Sequence, residues 1–179
     1  MSELKFEVRF HGPFAVATGE ARDGMDTTID DSNPLPSTAI KGLLKAQLRD
    51  ILDASPGQIA NIFHSEDQIG WVFSDAKIDI ERGLWTRVNV DDDGRAQERQ
   101  LMVGEQAQAE KGRFVVAWAG GEEAPTDQAL ALRAAARCVT SLGSHRRRGL
   151  GWVSITDDSD WTLKDTKNLR AWLNGKAGS

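Results

Sequence analysis

The chain has 179 residues, 40% hydrophobic and 27% charged, which suits one domain or two small fused lobes and excludes disorder as its main state. A formal net charge of −5 argues against a general nucleic-acid binder, and one cysteine, Cys138, excludes a disulfide framework and cysteine-rich zinc sites. The longest apolar runs are too short to span a bilayer, and Met1-Ser2-Glu3-Leu4-Lys5 lacks the apolar run of a signal peptide, so we expect a cytoplasmic protein without membrane contact.

Residues 4 to 10 alternate apolar and charged side chains, the pattern of a half-buried strand. Gly12-Pro13 breaks it, and Phe14 to Thr18 reads as a second short strand. Gly19 to Pro36 is polar with little periodicity and reads as a long loop, a length associated with function. Ser37-Thr38 offers an N-cap for a helix from about Ala39 to Leu52. Its apolar residues Ile40, Leu43, Leu44, Leu48, Ile51 and Leu52 form one stripe, while Lys41, Lys45 and Arg49 share another face.

Gln58 to Phe63 reads as a short helix or turn, Gly70 to Ile80 as strand, and Trp85 to Val90 as extended chain. Asp91-Asp92-Asp93-Gly94 is a turn signal. Ala96 to Lys111 reads as a projecting hairpin or loop, and Arg113 to Ala119 as a strand. Thr126 to Leu142 is an alanine-rich second helix with Gly143 as its C-cap. After a Gly/Arg loop come a strand, Trp152 to Thr156, and an amphipathic segment, Leu163 to Leu173. This order is the split βαβ pattern of a ferredoxin-like α+β sandwich.

Four constellations carry chemistry. In Gly143 to Gly151, three glycines bracket His145, Arg146, Arg147 and Arg148. Glycines allow close backbone approach and free amides, and guanidinium forks match phosphate oxygens, so we read the loop as a phosphate-backbone contact rather than a solvated turn. Asp23, Asp26, Asp30 and Asp31 lie in the long loop; one carboxylate there can hold Mg²⁺ through waters or serve as a general base, while most read as turn residues. His11, His64 and His145 form no metal-binding pair, and only His145 sits in the Gly/Arg loop. Trp71, Trp85, Trp118 and Trp152 fall in or near strands, and most read as core rather than as base-stacking platforms.

Several segments, in this order, resemble the CRISPR-associated RAMP superfamily, above all the repeated backbone subunit of type III effector complexes. Leu35-Pro36-Ser37-Thr38-Ala39-Ile40-Lys41-Gly42-Leu43-Leu44-Lys45 is similar to that family's I-P-G-S-S-L-K-G-x-x-R motif. Ile62-Phe63-His64 with Gly70 to Ala76 looks like L-F-G followed by G-x-L-x-F-x-D-A. Arg87 to Asp91 with Gly94-Arg95-Ala96 resembles R-x-x-V-x-I-D-R-x-T-G-x-A, and Gly104-Glu105 to Gly112-Arg113-Phe114 resembles E-x-x-x-x-G-x-x-F. Leu142-Gly143 to Arg148-Gly149-Leu150-Gly151 is similar to L-G-G-x-x-S-R-G-x-G. The likeness runs to about Ile155; it departs where Ser37 follows Pro36 with no intervening glycine, and where Phe14-Ala15 stands in place of a histidine.

The resemblance implies a single RAMP-type domain over 1–179, with an RRM-like, ferredoxin-type palm and an inserted thumb hairpin at about 88–112. It implies copies stacked along a CRISPR guide RNA, target single-stranded RNA and other effector subunits as partners, and sugar-phosphate contacts through Ser37, Thr38, Lys41, Lys45, Arg49, His145, Arg146, Arg147 and Arg148. It further implies metal-dependent target cleavage, with Mg²⁺ and Asp26 as catalytic residue and metal ligand; Asp30 and Asp31 are rivals. A non-catalytic structural or capping RAMP subunit, and a guide-processing endoribonuclease with His145 as base, are the alternatives.

Overall fold

A computed structural model of the chain describes residues 3–19, 24–63, 70–90, 96–121 and 123–175. His64, Asp23, Asp91, Asp92 and Asp93 lie outside them. The strand β1, Glu3–Phe10, sits at the sheet centre. Phe6, Val8 and Phe10 are buried and the intervening charged residues are not, as alternation requires. β1 pairs antiparallel with β6, Lys111–Trp118, on one side and with β7, Val153–Asp157, on the other. The strand β2, Trp71–Phe73, pairs with β6 beyond, and the two-residue β3, Lys77–Ile78, joins β6 off the main path.

The spatial order β2-β6-β1-β7, all antiparallel, is the ferredoxin-like order. The helix α1, Ser37–Asp50, connects β1 to β2, and α3, Thr126–Arg137, connects β6 to β7. Both cover one sheet face, burying Ile40, Leu44 and Leu48 from α1 and Leu130, Leu132 and Ala135 from α3 over Phe6, Val8, Phe114 and Val116. A separate two-stranded sheet, β4, Glu81–Val90, and β5, Ala96–Gln108, is inserted before β6. It overlaps the 88–112 interval and begins several residues earlier. Trp71 is core, whereas Trp152 is 59% exposed.

Four local expectations are corrected. The N-cap of α1 is Pro36, and Ser37 and Thr38 lie inside the helix. The cap comes from far along the chain, where Asp75 Oδ1 accepts a 2.6 Å hydrogen bond from Ser37 N. That bond, at the positive end of the helix dipole, holds the Asp75 carboxyl below the ordinary carboxylate range. α3 stops at Arg137 rather than running to Leu142. Thr140 O accepts from Val153 N and Leu142 N donates to Gly151 O, so this stretch pairs with the approach to β7 instead. Phe14 and Ala17 make only single bridges, to Ala107 and Ile29. The long loop is partly built into the fold, with Thr27, Thr28 and Ile29 buried.

The remaining helices close the helical layer. α2, Pro56–Phe63, starts at a capping box in which Gln58 N donates to Ser55 Oγ and Ser55 N to Gln58 Oε1. Asp157, at the end of β7, accepts from both Arg133 and Arg137 of α3 at 2.5 Å, and the ring of Trp161, just ahead of α4, Leu163–Leu173, lies under both guanidinium groups; Arg133 also stands 3.9 Å from Asp165 in the first turn of α4. Among the described residues, no helix is long and apolar enough to cross a membrane.

Candidate nucleic-acid interface

The Gly/Arg loop is fastened to the turn after β1 by backbone bonds. Ser144 N donates to Ala15 O and Gly151 N to Pro13 O, both at 2.7 Å. Gly143 and Gly151 have φ of +76° and +77°. A Cβ on Gly143 would stand 2.3 Å from Ala15 O, and one on Gly151 1.9 Å from Leu142 O. These two glycines therefore serve close approach within the protein, and the Gly151 amide is used inside the fold. For Gly151 this corrects the expectation of an amide free to meet a phosphate.

Between them, His145 adopts a left-handed conformation, φ 58°, and Arg146–Arg148 form one 3₁₀ turn closed by Arg148 N donating to His145 O at 2.8 Å. The His145 ring stands edge-on to Trp85 of β4, centroids 4.7 Å apart, joining the loop to the inserted hairpin. Arg146 and Arg148 are exposed. Among the described residues no carboxylate pairs with either. Nothing is described of the Arg147 side chain. An open cleft of about 740 Å³ lies beside the loop, lined by Ser141, Gly143, Ser144, His145, Arg146 and Arg148.

Arg146 also borders a second cavity, about 220 Å³, against the Ala39, Gly42, Leu43 and Ala46 face of α1. The fold thus brings the loop to α1. At about 100° per residue, Lys41 and Lys45 point roughly 130° around the helix from that face. Lys41 is exposed and Lys45 half-buried. They form a separate cationic stripe rather than one cluster with the arginines. Arg49 is committed elsewhere: its Nε donates to Asp50 Oδ1 at 2.6 Å, which holds the Asp50 carboxyl below its ordinary range. Ser37 gives its amide to Asp75, and Thr38 is exposed at the first turn.

The three described loop aspartates differ in role. Asp30 Oδ1 accepts from Ser32 N and Oγ and from Asn33 N, so Asp30 is the turn residue the sequence indicates. Asp31 pairs with Arg82, which also reaches the buried Glu105 at 2.9 Å. Asp26 is exposed and lies against β5, where Asp26 N donates to Val103 O at 2.8 Å and Asp26 Oδ2 accepts from Val103 N at 3.0 Å. Among the described residues no group of three metal-binding side chains exists. The Asp26 carboxylate supplies one side-chain ligand of the about six that Mg²⁺ takes.

Sequence reasoning missed Asp75 and Glu105. Glu105 is 2% exposed, accepts from Ile29 N at 3.0 Å, and ties the long loop to the hairpin. Glu105 sits inside the E-x-x-x-x-G resemblance, the one signal that singled it out.

No family model matches the sequence, and no curated protein matches it. Solved structures do. A chain of the cryo-EM structure of Type III-B Cmr-beta in the apo state superposes with a TM-score of 0.67 at 10% identity, covering 88% of this chain and 98% of that one. A chain of Type III-B Cmr-beta bound to cognate target RNA gives the same TM-score and identity, with 88% and 97% covered. The fold, an α+β palm with an inserted hairpin, is the fold of those complex chains.

Proposed function

We propose that the chain is a guide-RNA-binding backbone subunit of a type III CRISPR ribonucleoprotein effector, acting in antiviral defence. The observation that carries this reading is the pair of exposed arginines, Arg146 and Arg148, which no carboxylate among the described residues engages, held at the mouth of an open cleft by a loop pinned to the palm. In a protein of net charge −5, two exposed guanidinium groups beside one cleft form a focused anion site. Sequence-independent backbone contacts are what a guide of variable sequence requires. The shared fold and the five motif resemblances support the same reading. On this reading the β4–β5 hairpin is the thumb of one RAMP-type domain, and further copies and other effector subunits are partners.

Target cleavage is the finer proposal. Asp26 is its candidate residue, with RNA phosphates and water completing the shell of a divalent cation. The Asp26–Val103 pair favours a second reading, a structural subunit that does not cleave, because the carboxylate already has a role in holding β5.

The test is purification from the native host and sequencing of bound RNA. One guide-length species supports the proposal, and cleavage of labelled target with Mg²⁺ but not with EDTA supports catalysis. A preparation free of RNA removes the guide-binding reading.

A further inference from the structure

The Gly/Arg loop is the one basic run in the sequence, but the topology assembles a second basic surface from residues far apart. The sheet face opposite the helices carries every residue that alternates with Phe6, Val8 and Phe10. Register places Lys5, Arg9, Lys111 and Arg113 there, with Lys77 of β3 opposite Arg113. All five are exposed. The carboxylates paired into the same face are Glu3 and Glu7, and Glu7 is taken up by Arg113 at 3.3 Å. Among the register-paired positions of this face, five cations stand against two carboxylates, a local excess in a protein of net charge −5, with Asp79 following Lys77 at the sheet edge.

Their arrangement is costly in the free protein. Arg9 stands directly opposite Lys111, and Lys77 directly opposite Arg113. Like charges at facing cross-strand positions repel, and strands about 4.8 Å apart put them well within one Debye length. A polyanion laid across the strands offsets the repulsion between Arg9 and Lys111 and adds to the partial relief that Glu7 gives Arg113 beside Lys77.

The end of this face nearest the Gly/Arg loop carries an exposed aromatic ring. Trp152, 59% exposed, shares the parity of Ser154, which pairs with Arg9. His11 stands beside it: its N donates to Trp152 O at 2.8 Å, and its Nε2 lies 3.0 Å from Ser154 Oγ. Trp152 follows Arg148 by four residues, so the loop leads directly into the strand that borders this face.

We propose that the open face of the palm sheet is a second polynucleotide-binding surface, taking a single strand whose phosphates meet Arg9, Lys111, Arg113 and Lys77 and one of whose bases stacks on Trp152. Unpaired bases stack on exposed aromatics, and a ring set beside a row of cations is the pairing of features a single strand uses. The proposal deepens the RNA-binding reading by adding a surface that the loop does not share.

The test is fluorescence anisotropy of the full chain with labelled oligouridine across a salt series, with polyglutamate as a competing acidic polymer. An Arg9→Ser/Arg113→Ser double variant should bind roughly tenfold more weakly, with a salt slope lower by about 0.7 per lost phosphate contact. Lys77→Ser/Lys111→Ser, which leaves the Glu7–Arg113 pair in place, should do the same and covers the case in which the first variant misfolds. Trp152→Ala should lose roughly tenfold, and Trp152→Phe should recover most of it. Oligodeoxythymidine run alongside reads which strand chemistry the face prefers, and binding of either polymer through these residues supports the surface. If both sheet variants bind as wild type while Arg146→Ala/Arg148→Ala does not, the sheet proposal falls and the loop reading stands. If the sheet variants lose affinity and the loop variant does not, the sheet proposal stands and the loop reading falls. Competition by polyglutamate equal to that of oligouridine would overturn the proposal in favour of an acidic protein partner.

Discussion

Asp26 and Val103 exchange two hydrogen bonds, one from each backbone amide, and the bond from Val103 ends on the Asp26 carboxylate. Asn can accept the same bond without the charge, while Ala cannot. Asp26→Asn should therefore melt within error of wild type, and Asp26→Ala should lose about 1 kcal/mol or less. If the assembled complex cleaves RNA, both substitutions should abolish cleavage while guide binding persists. Thermal denaturation together with a Mg²⁺-dependent cleavage assay reads both effects. Full cleavage by either variant would remove Asp26 from the chemistry.

Asp75 caps α1 through Ser37 N, and this bond depresses its pKa. A depressed carboxylate contributes stability above its unfolded pKa, near 3.9, and that contribution disappears as pH falls through the folded value. Wild type should thus lose this stability only below about pH 4. Asp75→Ala should be less stable at neutral pH and shallower in its acid limb. Urea melts at several pH values check this; parallel acid limbs would contradict the capping role.

Gly143 and Gly151 each combine a positive φ with contact to a carbonyl oxygen. Ala at either should cost more than the roughly 1–2 kcal/mol of the left-handed conformation alone. Gly149, φ +86° with open space around it, should cost only that backbone penalty. Chemical denaturation of the three Ala variants ranks them, and an equal effect at all three would contradict the close packing of the loop.

The sheet was legible from alternation in Leu4 to Phe10 and in Arg113 to Ala119, and α1 from the Ile40, Leu44, Leu48 spacing. These signals are local. The cap of α1 was not legible, because Asp75 lies 38 residues from Ser37. Leu142 fits the helical phase of α3, yet its amide serves Gly151 O, a competition that only tertiary pairing decides. At the site, the arginine triplet stood out as a contiguous run. The basic sheet face did not, since Lys5, Arg9, Lys77, Lys111 and Arg113 meet only through strand register. Arg49 read as a helix-face cation, but its neighbour Asp50 neutralises it.

The central claim, that Arg146 and Arg148 hold an RNA backbone, is tested most directly by a salt titration of single-stranded RNA binding on wild type and on the Arg146→Ala/Arg148→Ala variant. Exposed loop changes should leave stability within about 0.5 kcal/mol, so the comparison is made between folded proteins. Wild type should show log affinity falling linearly with log salt, indifferent to RNA sequence. The variant should bind far more weakly, with a slope lower by about 0.7 for each phosphate contact removed. Unchanged affinity and slope in the variant would contradict the account and leave the loop a solvated turn.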